Sequence, residues 1–257
     1  MTKKERGYLT ELYYFALSFF VYGFLGWCTE VAYAAAKQGK FVNRGFLNGP
    51  ICPVYGIGVG VVVQFLTPVE NNLVLLYISS TILVTVIEGI TGFLLEKIFH
   101  NKWWDYSEQP LNIGGYVCVL FSLIWGVFCV LIVKIIHPLI YKVLTMIPLV
   151  LGIVVMACLA VGLLADLYVT ASGILKMNRR LEAMEKIAAE LKELSDKVGE
   201  NIYENVMEGM EFREEKKARI EELKAKYEEM AENRTKVGER LVKAFPKMQV
   251  GQHKEIF

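Results

Sequence analysis

The chain has 257 residues, of which 54% are hydrophobic and 21% are charged, and its formal net charge at pH 7 is +1. Most charged residues follow residue 175, so the small net charge hides an apolar half joined to a highly charged tail. This distribution gives no sign of a nucleic-acid partner, and five cysteines without a CxxC pair indicate no disulfide framework.

Five apolar segments occupy the first part of the chain, and most have the ~20 residues that a helix needs to cross a bilayer. They comprise residues 9–36, 51–67, 73–99, 114–136 and 147–175, of which the second is short. Residues 137–145 are apolar but too few to span, and Pro138 and Tyr141 suit an interfacial position. The sequence therefore predicts an all-α, polytopic helical membrane protein with about five transmembrane helices, the second one short or broken.

The orientation of the chain follows from its basic residues. Lys176, Arg179 and Arg180 follow the last apolar segment, which predicts a cytoplasmic tail on a protein of the plasma (inner) membrane. Five spans then place the N-terminus outside. The alternative makes residues 48–67 a re-entrant loop, with four spans and both termini inside. Five spans are favoured because they bring the isolated polar residues to one face of the membrane, where they can pair.

Three acidic residues interrupt the apolar segments: Glu30, Glu88 and Asp166. An ionised side chain in hydrocarbon costs at least ~2.5–3.5 kcal/mol, so such residues normally face a protein interior or a wet cavity. Arg44 is the natural counter-charge for Glu30 or Glu88. The alternatives are a purely structural ion pair and a site that handles a proton or a solute.

Residues 41–56 form the densest group of polar and helix-breaking residues in the chain. Its glycines permit unusual backbone angles, whereas Pro50 and Pro53 prevent a continuous helix. Transporters use such broken helices to bind ions and substrates through free backbone groups. The alternative is a tight interfacial turn that places Arg44 on a lipid phosphate.

Aromatic residues and one acid precede the fourth apolar segment. The aromatic residues alone would suit a membrane-interface belt, but an acid set among them favours a cationic or amphipathic ligand. We therefore predict a ligand-binding site, with no catalytic residue, metal or cofactor. Its residues are Glu30, Asn43, Arg44, Tyr55, Glu88, Trp103, Trp104, Asp105 and Tyr106.

The tail has a different pattern. Apolar residues recur at steps of three and four over residues 181–198 and 220–241, which is typical of a coiled-coil seam. An antiparallel helical hairpin and an oligomerising coiled coil both fit. We expect a transmembrane domain over residues 1–175 and a charged cytoplasmic helical tail over residues 176–257, the latter contacting a second copy or a partner helix.

Several motifs of this chain occur together and in order in one known family. They are Gly26-Trp27 with Glu30, residues 41–50 (FVNRGFLNGP), residues 52–56 (CPVYG), Leu94-Leu95-Glu96, residues 103–107 (WWDYS) and His137-Pro138. Over about residues 9–170 the chain resembles the bacterial family of putative ABC-transporter type IV permeases. The resemblance implies the membrane subunit of a transporter, which would need a separate ATPase, and it names no substrate.

Three functions remain open from the sequence. The first is a permease-like subunit with an intramembrane polar site for a small solute. The second is a scaffold or sensor that acts through the tail. The third is an intramembrane enzyme that uses Glu30 and Glu88 as an acid/base pair. The third is disfavoured because the sequence has no P-loop, metal motif or evident nucleophile.

Overall fold

The computed structural model describes residues 3–204, 210–245 and 249–250. Within these ranges the fold is nearly all-α, which confirms the predicted class. The helices are α1 (Lys3–Gln38), α2 (Pro53–Leu66), α3 (Leu73–Phe99), α4 (Val119–Leu131), α5 (His137–Thr145), α6 (Leu149–Glu204), α7 (Met210–Glu232) and α8 (Lys236–Ala244). A 3₁₀ turn (Thr67–Val69) follows α2, and a π-helical turn (Ile132–Ile136) joins α4 to α5.

Four two-residue strands complete the described structure. They are β1 (Asn101–Lys102), β2 (Asn112–Ile113), β3 (Val117–Cys118) and β4 (Gln249–Val250). The β2 and β3 strands form an antiparallel hairpin between α3 and α4, and β4 pairs antiparallel with β1. The last described residues of the chain therefore pair with the segment that follows α3.

Contacts divide the chain into two compact units. The first contains the residues up to Thr170 together with a C-terminal segment that begins at Arg240, and the second runs from Ala171 to Glu239. The α6 helix continues without interruption through residues 170 and 171. The domain boundary between residues 175 and 176 stays a prediction.

Four described helical segments are long and apolar enough to cross a membrane: Leu9–Gln38, Leu73–Phe99, Val119–Thr145 and Leu149–Lys197. Only 6% of the most apolar window of the last segment is buried inside the chain, so its apolar side chains are left for lipid or for another protein. The α2 helix has 14 residues and a length of about 21 Å, below the ~30 Å hydrocarbon thickness. The count of five spans stays a prediction.

Two pairs of neighbouring helices in the first unit pack antiparallel. The α1 and α2 helices pack antiparallel, because Gly26 of α1 adjoins Tyr55 of α2 whereas Phe15 adjoins Gly60. The α3 and α4 helices also run antiparallel, with Gly126 of α4 against the first half of α3. The end of α1 and the start of α2 thus lie together, as do the end of α3 and the segment before α4.

One segment differs from its prediction. Residues 137–145 are expected to form a separate interfacial stretch, but α4, the π-helical turn and α5 make one helical segment, Val119–Thr145. Pro138 directly follows the π-helical turn, where the regular hydrogen-bond pattern is already interrupted and a missing backbone N–H can be accommodated. His137 Nδ1 lies 3.1 Å from the hydroxyl of Tyr22 in α1, which ties this junction to the neighbouring helix.

The second unit contains two antiparallel helical stretches, from α6 and α7. Arg219 of α7 lies 3.0 Å from Glu190 of α6, and Arg180 donates to the carbonyl oxygen of Asn233 at 2.7 Å. The apolar side chains buried in this unit include Ile174, Met177, Leu181, Met184, Ile187 and Leu223. This arrangement is a helical hairpin, while a coiled coil with another chain stays a prediction.

Candidate functional site

The connection between α1 and α2, residues 39–52, has neither helix nor strand and folds back along α1. We call it the α1–α2 loop. The backbone N–H of Cys52 donates to the carbonyl oxygen of Gly23 at 2.9 Å, and Gly23 lies near the middle of the apolar stretch Leu9–Gln38. Irregular backbone at membrane depth is tolerated only where protein buries it or a wet cavity adjoins it. The end of the loop therefore lies beside the middle of an apolar stretch, where lipid would supply no hydrogen-bond partner.

Asn43 organises the first half of this loop. Its Oδ1 accepts hydrogen bonds from Trp27 Nε1 at 2.8 Å and from the backbone N–H of Gly45 at 3.1 Å. Its Nδ2 donates to the carbonyl oxygen of Asn48 at 2.7 Å. Both polar atoms of the Asn43 amide thus bind protein groups, and the side chain holds the loop in a tight turn against α1.

Glu30, Arg44 and Tyr55 meet beside the C-terminal half of α1. The hydroxyl of Tyr55 donates to Glu30 Oε1 at 2.8 Å, and Arg44 Nε lies 3.6 Å from Glu30 Oε2. The second distance exceeds that of a hydrogen bond, and Arg44 Nε has no hydrogen-bond partner among the described residues. The side chains of Glu30 and Arg44 are 26% and 25% exposed, so this loose ion pair remains reachable.

A second acidic group, Glu88 of α3, faces Tyr106 in the segment before α4. The hydroxyl of Tyr106 donates to Glu88 Oε1 at 3.2 Å, whereas Glu88 Oε2 is buried without a hydrogen-bond partner in the described part of the chain. Burial raises the pKa of the Tyr106 phenol, and the negative charges of Glu88 and Glu30 act in the same direction. The phenol therefore stays protonated and donates, and it lies within the field of both acids.

The other predicted site residues shape the segment between α3 and α4. Trp103 is buried, with its ring centroid 5.6 Å from those of Phe46 and Phe99. Trp104 Nε1 donates to the carbonyl oxygen of Tyr116 at 2.9 Å.

Asp105 is exposed and belongs to the same segment. Its Oδ1 accepts from the backbone N–H and the hydroxyl of Ser107, at 3.0 and 2.5 Å. The structure thus brings Glu30, Arg44 and Tyr55 together and pairs Glu88 with Tyr106. The two tryptophans and Asp105 make contacts that fix the connecting segment.

Asp166 of α6 holds the second half of the α1–α2 loop, a role that the sequence did not predict. Its Oδ2 accepts from the backbone N–H of Gly49 at 2.6 Å, and its Oδ1 accepts from the backbone N–H and the Nδ2 of Asn48 at 3.2 and 2.8 Å. Thr170, one turn later in α6, lies 3.2 Å from the same carboxylate. The isolation of Asp166 in an apolar segment was the sequence signal for it.

Arg240 of α8 also contacts this loop and was missed by sequence reasoning. Its Nη1 and Nη2 donate to the carbonyl oxygens of Gly45 and Phe46, both at 2.8 Å. Its Nε donates to Asn48 Oδ1 at 3.0 Å. Arg240 lies in a charged stretch of the tail, 192 positions from Asn48, and nothing local in the sequence distinguishes it from its charged neighbours.

Comparison with known proteins identifies the family. The family described as "Putative ABC-transporter type IV" matches residues 17–171, which is more than half of the chain. No curated protein and no solved structure matches the chain. The matched region contains the α1–α2 loop and the acids Glu30, Glu88 and Asp166, and it ends before the hairpin and Arg240. The chain is therefore a membrane protein that belongs to the "Putative ABC-transporter type IV" family.

Proposed function

We propose that this chain is a permease-like membrane subunit that binds a small cationic solute between α1, α2, α3 and the segment before α4. The family assignment, which is transport-related, supports the proposal. The observation that carries it is the α1–α2 loop, which brings irregular backbone and polar side chains to the level of the middle of α1. Transporters build substrate sites from such interrupted segments.

The charges of the cluster favour a cation. Two acidic side chains, Glu30 and Glu88, act on the Tyr106 phenol, and the Arg44 guanidinium pairs with Glu30 alone of the two. The unpartnered Oε2 of Glu88 is a buried acceptor, and buried acceptors are costly unless a donor reaches them. An ammonium or amidinium group would supply such a donor.

Aromatic rings beside the two acids suit an organic cation. The Tyr55 ring lies 6.1 Å from that of Trp125, and the Tyr106 ring lies 5.2 Å from that of Phe121. Ring faces attract cations most strongly where water is excluded. We propose that the solute cation replaces the Arg44 guanidinium beside Glu30 while Tyr55 and Tyr106 keep the carboxylates oriented. The proposal includes no chemical step.

This subunit would need a partner for energy. The chain has no P-loop sequence, so ATP hydrolysis would come from a separate ATPase. We further propose that the protein lies in the plasma (inner) membrane with its tail in the cytoplasm, where the helical hairpin contacts a second copy or a partner helix.

The ATPase partner is tested by affinity purification from native membranes after mild cross-linking. We expect a P-loop ATPase to be recovered with the wild-type chain in comparable amount and to be absent from a mock purification. Repeated recovery of the intact chain without any ATPase would contradict this part of the proposal and would leave the cation site untouched.

The cation site is tested by Glu30→Gln and Glu88→Gln in the purified full-length protein. We expect a panel of small organic cations to contain compounds that raise the apparent Tm of the wild-type protein, and matched anions to have no effect. Each substitution removes one charged acceptor, which is worth about 1.5–3 kcal/mol and weakens cation binding roughly 10- to 100-fold.

The matched control is Glu108→Gln, because Glu108 is exposed in the same connecting segment as Tyr106. This variant should bind the same cations with unchanged affinity. Stabilisation by anions, or cation binding that is equal in all three variants, would refute a cationic solute at this cluster.

A further inference from the structure

We infer that the α1–α2 loop forms a receptor for a planar guanidinium-type cation, with Arg240 as the occupant that the chain itself supplies. This site is separate from the Glu30–Glu88 cluster. It is made of main-chain carbonyl oxygens and one amide oxygen, whereas the proposed solute site is made of carboxylates. The two sites share the α1–α2 loop but use different groups, so separate variants test them.

The geometry matches a guanidinium in shape as well as charge. Each of the three nitrogens of Arg240 has an oxygen partner in the loop at 2.8–3.0 Å. A further carbonyl oxygen, that of Asn43, lies 3.4 Å from Nη1. A guanidinium offers five N–H donors in a rigid planar fork, and a lysine ammonium cannot place its donors in this way.

These loop oxygens depend on the cation. In the part of the chain that the structure describes, the carbonyl groups of Gly45 and Phe46 accept no other hydrogen bond. A buried carbonyl without a donor costs free energy comparable to a lost hydrogen bond. An empty receptor would therefore favour either a rearranged loop or a replacement cation.

The negative charge of Asp166 offsets part of the cost of burying the Arg240 guanidinium. Burial lowers the pKa of the Arg240 guanidinium, and the negative charge of Asp166 acts in the opposite direction. An arginine remains charged in any such environment. The Asp166 carboxylate accepts from the backbone N–H groups of Asn48 and Gly49. The Arg240 guanidinium donates to the carbonyl oxygens of Gly45 and Phe46, so the two charged side chains bind opposite backbone groups of one turn.

Apolar contacts anchor the residues that follow Arg240 in α8, and Leu241 is fully buried. Ala244 is buried with Ala34 and Val42, Phe245 packs against them, and the Arg44 guanidinium lies 5.6 Å from the Phe245 ring centroid. The β4–β1 pair adds only two residues on each side. None of these apolar contacts involves the Arg240 guanidinium, so α8 should stay in place in Arg240→Ala and leave a space that a free cation of the same shape can fill.

The test is chemical rescue of Arg240→Ala in the purified full-length protein. We expect the substitution to lower the apparent Tm by about 5–10 °C, because it leaves the loop carbonyls without donors. Millimolar guanidinium chloride should restore at least half of this loss and should not stabilise the wild-type protein. Arg240→Lys should lie between the two and should not respond to guanidinium.

Three controls separate the receptor from general effects. Urea has the planar shape without the charge, and sodium chloride supplies the ionic strength; neither should rescue Arg240→Ala. Arg219→Ala removes an exposed arginine from the second unit and should show no rescue. Hydrogen exchange gives an independent readout, because the amides of residues 43–49 should lose protection in Arg240→Ala and regain it with guanidinium.

Several outcomes would overturn the inference. They are unchanged loop protection in Arg240→Ala, equal rescue by urea or salt, and equal stabilisation of Arg219→Ala. If Arg240→Ala folds poorly, it should be purified with and without guanidinium, and equal failure in both counts against the receptor. If guanidinium fails to rescue Arg240→Ala while cations still bind at Glu30 and Glu88, only this inference is refuted. If guanidinium rescues Arg240→Ala while no cation binds at Glu30 and Glu88, only the solute site is refuted.

Discussion

Gly56→Ala is expected to destabilise the membrane unit by about 3 kcal/mol, because the new methyl group has no space. A Cβ at this position would lie 2.6 Å from the carbonyl oxygen of Phe19 and 2.6 Å from its ring. The obstacle is main chain, which cannot move aside without separating α1 from α2. Since Tyr55 precedes this glycine, the hydrogen bond to Glu30 should be lost together with the helix contact.

The matched control for this prediction is Gly58→Ala, two residues later on the same helix. A Cβ there would meet only Ile87, at an ordinary contact distance of 3.9 Å. Alanine should then be neutral or stabilise α2 by up to ~1 kcal/mol through helix propensity. The measurement is the apparent Tm in detergent, where we expect Gly56→Ala to lie roughly 6–12 °C below Gly58→Ala. Equal Tm values for the two variants would show that the helices do not pack in this register.

Asp166→Asn is expected to have the second largest effect, a loss of about 2 kcal/mol. The carboxylate accepts from two backbone N–H groups and one side-chain amide of the α1–α2 loop. An asparagine cannot accept at both positions, so one NH₂ group would face the N–H of Asn48 or Gly49. That contact replaces a charge-assisted hydrogen bond with two opposed donors, and the loop should detach from α6.

Hydrogen exchange at Asn48 and Gly49 measures this detachment directly, and the apparent Tm reports its cost. The matched control is Asp196→Asn, an isosteric change at an exposed position of the same helix, α6. It should leave both readouts unchanged. An Asp166→Asn protein with wild-type protection of the loop would show that Asp166 does not hold the turn.

The sequence predicted those parts of the site that depend on the cost of polar groups in lipid. Glu30 lies in an apolar helix, and Arg44 is a cation within the helix-breaking segment that follows, so their pairing could be expected from charge alone. The break before α2 followed from Pro50 and Pro53, which cannot continue a helix. The helix break is encoded locally by two prolines, and the ion pair follows from the high cost of an unpaired charge in hydrocarbon.

The remaining parts depend on tertiary contacts that no local pattern encodes. Asn43 is predicted as a ligand-binding residue, but its amide geometry suits the indole of Trp27 and the loop backbone. The sequence alone cannot distinguish an asparagine that binds a ligand from one that holds a loop through hydrogen bonds. Arg240 is one of many cations in the tail, and only the three-dimensional position of the loop carbonyls selects it.

The distance in sequence between Arg240 and the α1–α2 loop has a consequence for biogenesis. At 5–20 residues per second, the 192 positions between Asn48 and Arg240 correspond to roughly 10–40 s of translation. Throughout that interval the nascent helices enter the bilayer while the oxygens of Gly45 and Phe46 await their donor. The hydrogen bonds of the α1–α2 loop are therefore completed only after α8 has been synthesised, and a chain that ends before Arg240 lacks the donor to Gly45 and Phe46.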